Sequence, residues 1–227
     1  MLKLNRGFLF TLIIVLSTNT IKTQDAQPEH KYGTVEGLVK LTFTNTKGLK
    51  EDVKRDFSET VIFLEPNGHE VEAIISKQHS TIRQKGAKFI PSLLVIPKGQ
   101  TVDFINDDNI YHNAFSFSKT KEFDLGLYKS EESKSVTFNK AGFVEIFCSI
   151  HRNMQCTIYV SPNHLFCTAE KDGGFKLDNI PVGKYILKTW HRKLPEGVEN
   201  IEITKINVES KKSVNVIIDL NSNTNTK

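Results

Sequence analysis

Cys148, His151 and Met154 recur at every third residue of the run FVEIFCSIHRNM, residues 143–154. One tight loop thereby offers a thiolate, an imidazole and a thioether to a single ion, a mixture of soft and borderline donors that suits copper. Such a loop needs another ligand from elsewhere in the fold, and the stretch Asp107-Asp108-Asn109-Ile110-Tyr111-His112-Asn113 supplies His112. Two imidazoles and a thiolate in a plane, with a weak axial methionine, form the copper site that passes single electrons. A lone cysteine at a strand end is ordinarily a small buried hydrophobe. Sulfur is too scarce here for that alone: the chain has three Cys and two Met, and Met154 is the only methionine after the initiator.

The segments that must position these ligands read as short strands. Residues 143–148 alternate and end on the thiol, 112–117 open on the histidine, and 155–160 lead away from the loop. Residues 71–76, 93–96, 101–105 and 133–138 read as further strands, with Pro97-Lys98-Gly99 and Asn139-Lys140-Ala141-Gly142 as turns. Upstream, 34–43 alternates with Val35, Gly37, Val39, Leu41 and Phe43 on one face. Residues 45–58 read as a loop, and 60–65 form a strand stopped by Pro66-Asn67-Gly68. After Ser161-Pro162-Asn163 the strand pattern resumes at 165–169, 175–177, 185–190, 201–208 and 213–220. Short strands at this spacing predict an all-β protein built of sandwiches.

Residues 89–160 resemble a cupredoxin, a relative of plastocyanin and amicyanin. The matching stretches are FIPSLLVIPKGQTVDFIND, YHNAFSF and VTFNKAGFVEIFCSIHRNM. The Cys-two-His-two-Met spacing is similar to the short ligand loop of amicyanin. The resemblance implies a Greek-key β-sandwich and one copper ion per chain, Cu(I) or Cu(II), held by His112, Cys148, His151 and Met154. It implies that Asn113 hydrogen-bonds the two ligand loops together. His112 is then expected deeper, within a strand, and His151 at the exposed edge where a redox donor and acceptor dock. GTVEGLVKLTF, TVIFLEPNG and DGGFKLDNIPVGKYILKTW resemble the two halves of a carboxypeptidase-regulatory-like β-sandwich, a combination similar to methylamine-utilisation-like proteins. The expected organisation is therefore a second small sandwich, 32–70 with 164–220, and a cupredoxin domain, 71–163, inserted at its Asn67-Gly68 turn. Residues 221–227 are expected to be a disordered tail.

Lys3 and Arg6 precede an apolar run, GFLFTLIIVL, that is short for a bilayer span, so residues 1–23 read as a signal peptide. The expectation is an exported, periplasmic or extracellular protein with no stable membrane insertion after signal removal. The full chain of 227 residues carries a formal +4; losing Lys3, Arg6 and Lys22 leaves +1, and no long basic run appears, which excludes nucleic acid as a partner. Cys156 shares an alternating face with Met154, Ile158 and Val160, a core position. Its pairing with Cys167 stays open, because sequence cannot supply the separation a disulfide needs. A trinuclear oxidase cluster requires His-Cys-His, whereas Cys148 lies between Phe147 and Ser149. A dinuclear site requires a second Cys where Arg152 stands. The extra histidines of a copper nitrite reductase have no counterpart, since His30, His69, His79, His164 and His191 are scattered and read as surface residues. No nucleophilic triad or phosphate loop is present. These features predict no enzyme but an electron carrier. The alternatives are a copper-delivery protein, against which the lack of Met- or His-rich tracts counts, and an accessory module whose flanking sandwich contacts a protein or polymer. Trp190-His191 would be that contact, although Trp190 reads better as a core aromatic.

Overall fold

Eighteen strands and no helix are described in the computed structural model, over residues 32–44, 50–52, 56–192 and 200–220. The expected signal segment at 1–23 and the tail at 221–227 lie outside these residues. No helix among the described residues is long and apolar enough to cross a membrane.

The described residues begin with β1 (Tyr32–Lys40), the antiparallel pair β2 (Thr42–Thr44) and β3 (Lys50–Asp52), and β4 (Thr60–Pro66). The chain then runs through β5 (Ser80–Gln84), β6 (Phe89–Ile90), β7 (Leu93–Pro97), β8 (Thr101–Asn106), β9 (Phe115–Ser118), β10 (Lys121–Asp124), β11 (Ser133–Thr137), β12 (Gly142–Phe147) and β13 (Gln155–Ser161). It returns with β14 (Phe166–Thr168), β15 (Gly174–Pro181), β16 (Gly183–His191), β17 (Ile201–Val208) and β18 (Ser213–Asp219). The first and last groups share sheets, in the orders β15-β1-β18 and β14-β4-β16-β17. The middle group forms two others, β10-β9-β12-β13-β7 and β11-β8-β5-β6. The molecule is thus all-β, with an inner sandwich threaded between two strands of an outer one.

Each sandwich closes on its own apolar core. Val35, Val39, Ile62, Leu64, Leu187 and Ile218 fill the outer one; Ile82, Phe104, Val144, Ile146, Ile158 and Val160 fill the inner one. Burying each such side chain contributes about 1.5–3 kcal/mol. Close approach of backbones is tightest at Gly37, where a β-carbon would collide with the Val216 carbonyl across the parallel β1–β18 pair.

A third cluster joins the two. Val61, Phe63 and Trp190 of the outer sandwich pack with Tyr159 of the inner, and Leu93, Val95 and Phe143 line the edge. The Trp190 ring stacks on Tyr159 at 4.9 Å between centroids. This joint explains why β4 has five successive buried residues: Ile62 and Leu64 face the outer core while Val61 and Phe63 face the joint. A strand covered on both faces loses the alternation of a half-exposed one. His191, expected at the surface, is 5% exposed, because β16 carries it beside Trp190 into the same covered region.

Two strand readings are corrected. Residues 71–76 form no strand; Ile74 and Ile75 are exposed, in a segment that crosses between sandwiches without a partner. His112 lies ahead of β9 rather than in a strand, held by an isolated bridge to Tyr128. Residues 45–58, read as a loop, contain the strand β3, and the sequence pattern marks neither the polar strands β5 and β10 nor the short β6.

Candidate metal centre

β12 and β13 are neighbours in an antiparallel pair, and residues 148–154 form the connection at one end of the inner sandwich. The connection folds on itself: Cys148 N–H donates to the Met154 carbonyl at 3.2 Å, and Met154 N–H to the His151 carbonyl at 3.0 Å. Cys148 and Met154 are thereby turned into the inner core, at 6% and 1% exposure. His151 is half-buried at the rim, between exposed Ile150 and Arg152.

The second loop brings His112 to the same place. Asn106 shapes it, its Oδ1 accepting from Asp108 N–H at 3.0 Å while Nδ2 donates to the Ile110 carbonyl at 2.8 Å and the Tyr128 carbonyl at 3.1 Å. His112 and Tyr128 exchange backbone hydrogen bonds of 3.1 and 2.8 Å, and the imidazole is fully buried. Asn113 Oδ1 accepts from Ser149 N–H at 2.8 Å and Ser149 Oγ–H at 3.0 Å, a direct clasp between the loops. Gln84 Nε2 supports the Asn113 carbonyl at 3.4 Å.

Cys148 Sγ stands 3.8 Å from His112 Nδ1 and 3.8 Å from His151 Nδ1, and the three ligand atoms lie within 4.8 Å of one another. An ion bound at about 2.05 Å to nitrogen and about 2.3 Å to sulfur separates those atoms by about 3.8 Å at 120°, against about 3.6 Å at the tetrahedral angle. The two sulfur–nitrogen spacings therefore match those of a trigonal ion. Met154 adjoins the group through the backbone bond to Cys148. His69, His79, His164 and His191 do not join it.

Two features of the site had not been singled out in the sequence. Asp108 Oδ2 lies 2.9 Å from His112 Nε2. Partial burial pushes the Asp108 carboxyl up, but N–H bonds from Ala87 and Gly86 and the His112 contact outweigh it and hold the group below the ordinary aspartate value. The second is the buried pair Tyr128 and Gln84, whose side chains face one another; burial pushes the Tyr128 phenol up, and the Gln84 contact opposes this. An acid four residues before a candidate histidine was a signal for Asp108, whereas nothing local marks Gln84. All three cysteines are free. Cys156 faces the inner core and Cys167 the outer one, and burial pushes the Cys167 thiol up to about 12.

No family model and no curated protein matches the chain. Among solved structures it is similar to an amicyanin variant in its Cu(I) form, at 22% identity over 37% of this chain and 82% of that one, TM-score 0.35. It is similar to a purple cupredoxin from Nitrosopumilus maritimus, at 26% identity over 36% of this chain and 99% of that one, TM-score 0.33. It is also similar to a copper-containing nitrite reductase from Thermus scotoductus SA-01, at 28% identity over 43% of this chain and 25% of that one, TM-score 0.36.

Proposed function

We propose that this chain is an exported mononuclear copper protein carrying single electrons, with His112, Cys148, His151 and Met154 as the ligands of one ion. The observation that carries this reading is the approach of Cys148 Sγ to two imidazole Nδ1 atoms at 3.8 Å each, the spacing of a trigonal centre. A bound copper ion supplies the one-electron couple between Cu(I) and Cu(II). Cys148 supplies the thiolate, which is deprotonated when metal-bound. His112 and His151 would hold the ion through their imidazole nitrogens, and Met154 would offer it a thioether sulfur that tunes the potential. The Asn113–Ser149 clasp holds both loops in one arrangement, so the ligands move little between oxidation states. Four protein donors leave no open position for a substrate, which favours a carrier over an enzyme.

The inner sandwich is read as a cupredoxin and the outer as a carboxypeptidase-regulatory-like module. Donor and acceptor proteins dock around His151. Supporting this, loop segments next to the site residues expose Ile110 at 50%, Tyr111 at 57%, Leu127 at 54% and Ile150 at 51%. The visible spectrum of copper-loaded protein tests the assignment. An intense thiolate-to-copper band is expected, and Cys148→Ser should lose it while keeping the β-sheet circular dichroism. A colourless Cu(II) protein, or an equally coloured Cys148→Ser variant, would exclude it. Retention of the metal against a chelator during electron self-exchange separates a carrier from a delivery protein.

A further inference from the structure

Three hydrogen-bond donors converge on the carboxylate of Asp108. Gly86 N–H donates to Oδ1 at 2.7 Å, Ala87 N–H donates to Oδ2 at 2.8 Å, and His112 Nε2 lies 2.9 Å from the same Oδ2. Gly86 and Ala87 both have positive φ, 62° and 53°, so the turn between β5 and β6 points successive N–H groups one way and forms an anion-binding concavity. Asp108 is itself fixed by Asn106. With Nε2–H donating to the carboxylate, His112 leaves the lone pair of Nδ1 facing Cys148.

We propose that Asp108 is a positioning residue for His112: its carboxylate sets the tautomer and orientation of that imidazole and ties the 86–87 turn to the centre. The assignment rests on the copper reading above. Only a group that accepts on both oxygens satisfies all three donors. An asparagine accepts on one oxygen, so its amide hydrogens must face either Gly86 N–H, or Ala87 N–H and His112 Nε2–H. A carboxylate behind the imidazole also makes the ligand more basic and adds negative charge near the ion, which favours the higher oxidation state.

Asp107 is the internal comparison. It is the preceding acid, but it pairs with Arg83 at 2.5 and 2.7 Å and does not bond His112. Full-length wild type, Asp108→Asn and Asp107→Asn are to be compared in three measurements. Zn²⁺ affinity by chelator competition should fall on the order of 10- to 100-fold in Asp108→Asn. The reduction potential of its copper form should rise. Amide exchange at Gly86 and Ala87 in its metal-free protein should accelerate. Asp107→Asn should alter none of these. A folded Asp108→Asn protein with wild-type zinc affinity and potential would overturn the assignment, as would equal shifts in Asp107→Asn, which would reduce the effect to distant charge. Should Asp108→Asn fail to fold, ring ¹⁵N spectra of zinc-loaded wild type decide: a slowly exchanging proton on His112 Nε2 is expected, and an unprotonated Nε2 refutes it. A wild type that binds neither copper nor zinc would defeat the copper reading and the metal role with it, whereas changes absent only from the Asp108→Asn comparison defeat Asp108 alone.

Discussion

Met154 shows at the residue scale how one side chain serves two purposes that experiment can separate. It is 1% exposed and packs in the inner core, and on the proposed reading it is also the axial ligand. Leucine conserves the volume, so Met154→Leu should cost less than about 1.5 kcal/mol of stability in denaturant titrations of metal-free protein. An added donor stabilises Cu(II) more than Cu(I), a weak thioether less so than a harder oxygen, so the same change should move the potential, upward for Met154→Leu and downward for Met154→Gln. Three equal potentials in voltammetry would place Met154 away from the ion. Cys148, His151 and Met154 were legible because one loop carries them at fixed spacing. His112 was legible as a candidate, although its setting was not: the bridge to Tyr128 depends on a residue sixteen positions on, which no local pattern announces. Asp108 and Gln84 act through a turn and a strand more than twenty residues upstream.

At the scale of elements, strands were read from alternation or an apolar run, and β5 was missed because a polar residue turns inward. β5 reads STIRQ, and its inward positions are Ile82 and the wholly buried Gln84. The apolar pair Ile74-Ile75 suggested a strand, but side-chain preference without a neighbouring ladder forms none. β8 carries a polar clasp that can be tested by pH. Asp103 Oδ1 accepts from Ser135 Oγ–H at 2.5 Å and lies 2.8 Å from His79 Nδ1, fastening β11 and the crossing segment to the sheet. Partial burial raises the Asp103 carboxyl, but the Ser135 and His79 interactions prevail and lower it. A depressed carboxyl stabilises the fold above the unfolded value, about 3.9, and loses that contribution as pH falls through the lower folded value. Asp103→Asn should therefore be less stable than wild type near neutrality, with the two converging in acid. Parallel stability curves down to the acid limit would refute the clasp. Strand order also settles what fragments can do. β1 is central in one outer sheet and β4 is interior in the other, so residues 164–220 alone retain unpaired edges and should show no cooperative unfolding.

For the molecule as a whole, Trp190 does not serve a single core, as its sequence context implied, but lies between two. Trp190→Ala should cost about 3–5 kcal/mol, the usual range for a buried tryptophan. It should also split a single calorimetric transition into two as the sandwiches lose their common aromatic contact; one unaltered transition would show the joint to be passive. Roughly 100 residues separate β4 from β14, yet the ends of that span meet: Asn163 Nδ2 donates to the Leu64 carbonyl at 2.8 Å, and Leu64 N–H to the Leu165 carbonyl at 2.9 Å. Once folded, the inner sandwich acts as a staple. It shortens the tether between the outer strands to the equivalent of roughly 10 residues, which lowers the entropy cost of bringing them together by about 2 kcal/mol. Whatever tightens the inner half is thus felt in the outer half without touching it. Metal loading should slow amide exchange in β1 and β16, strands that hold none of the proposed ligands.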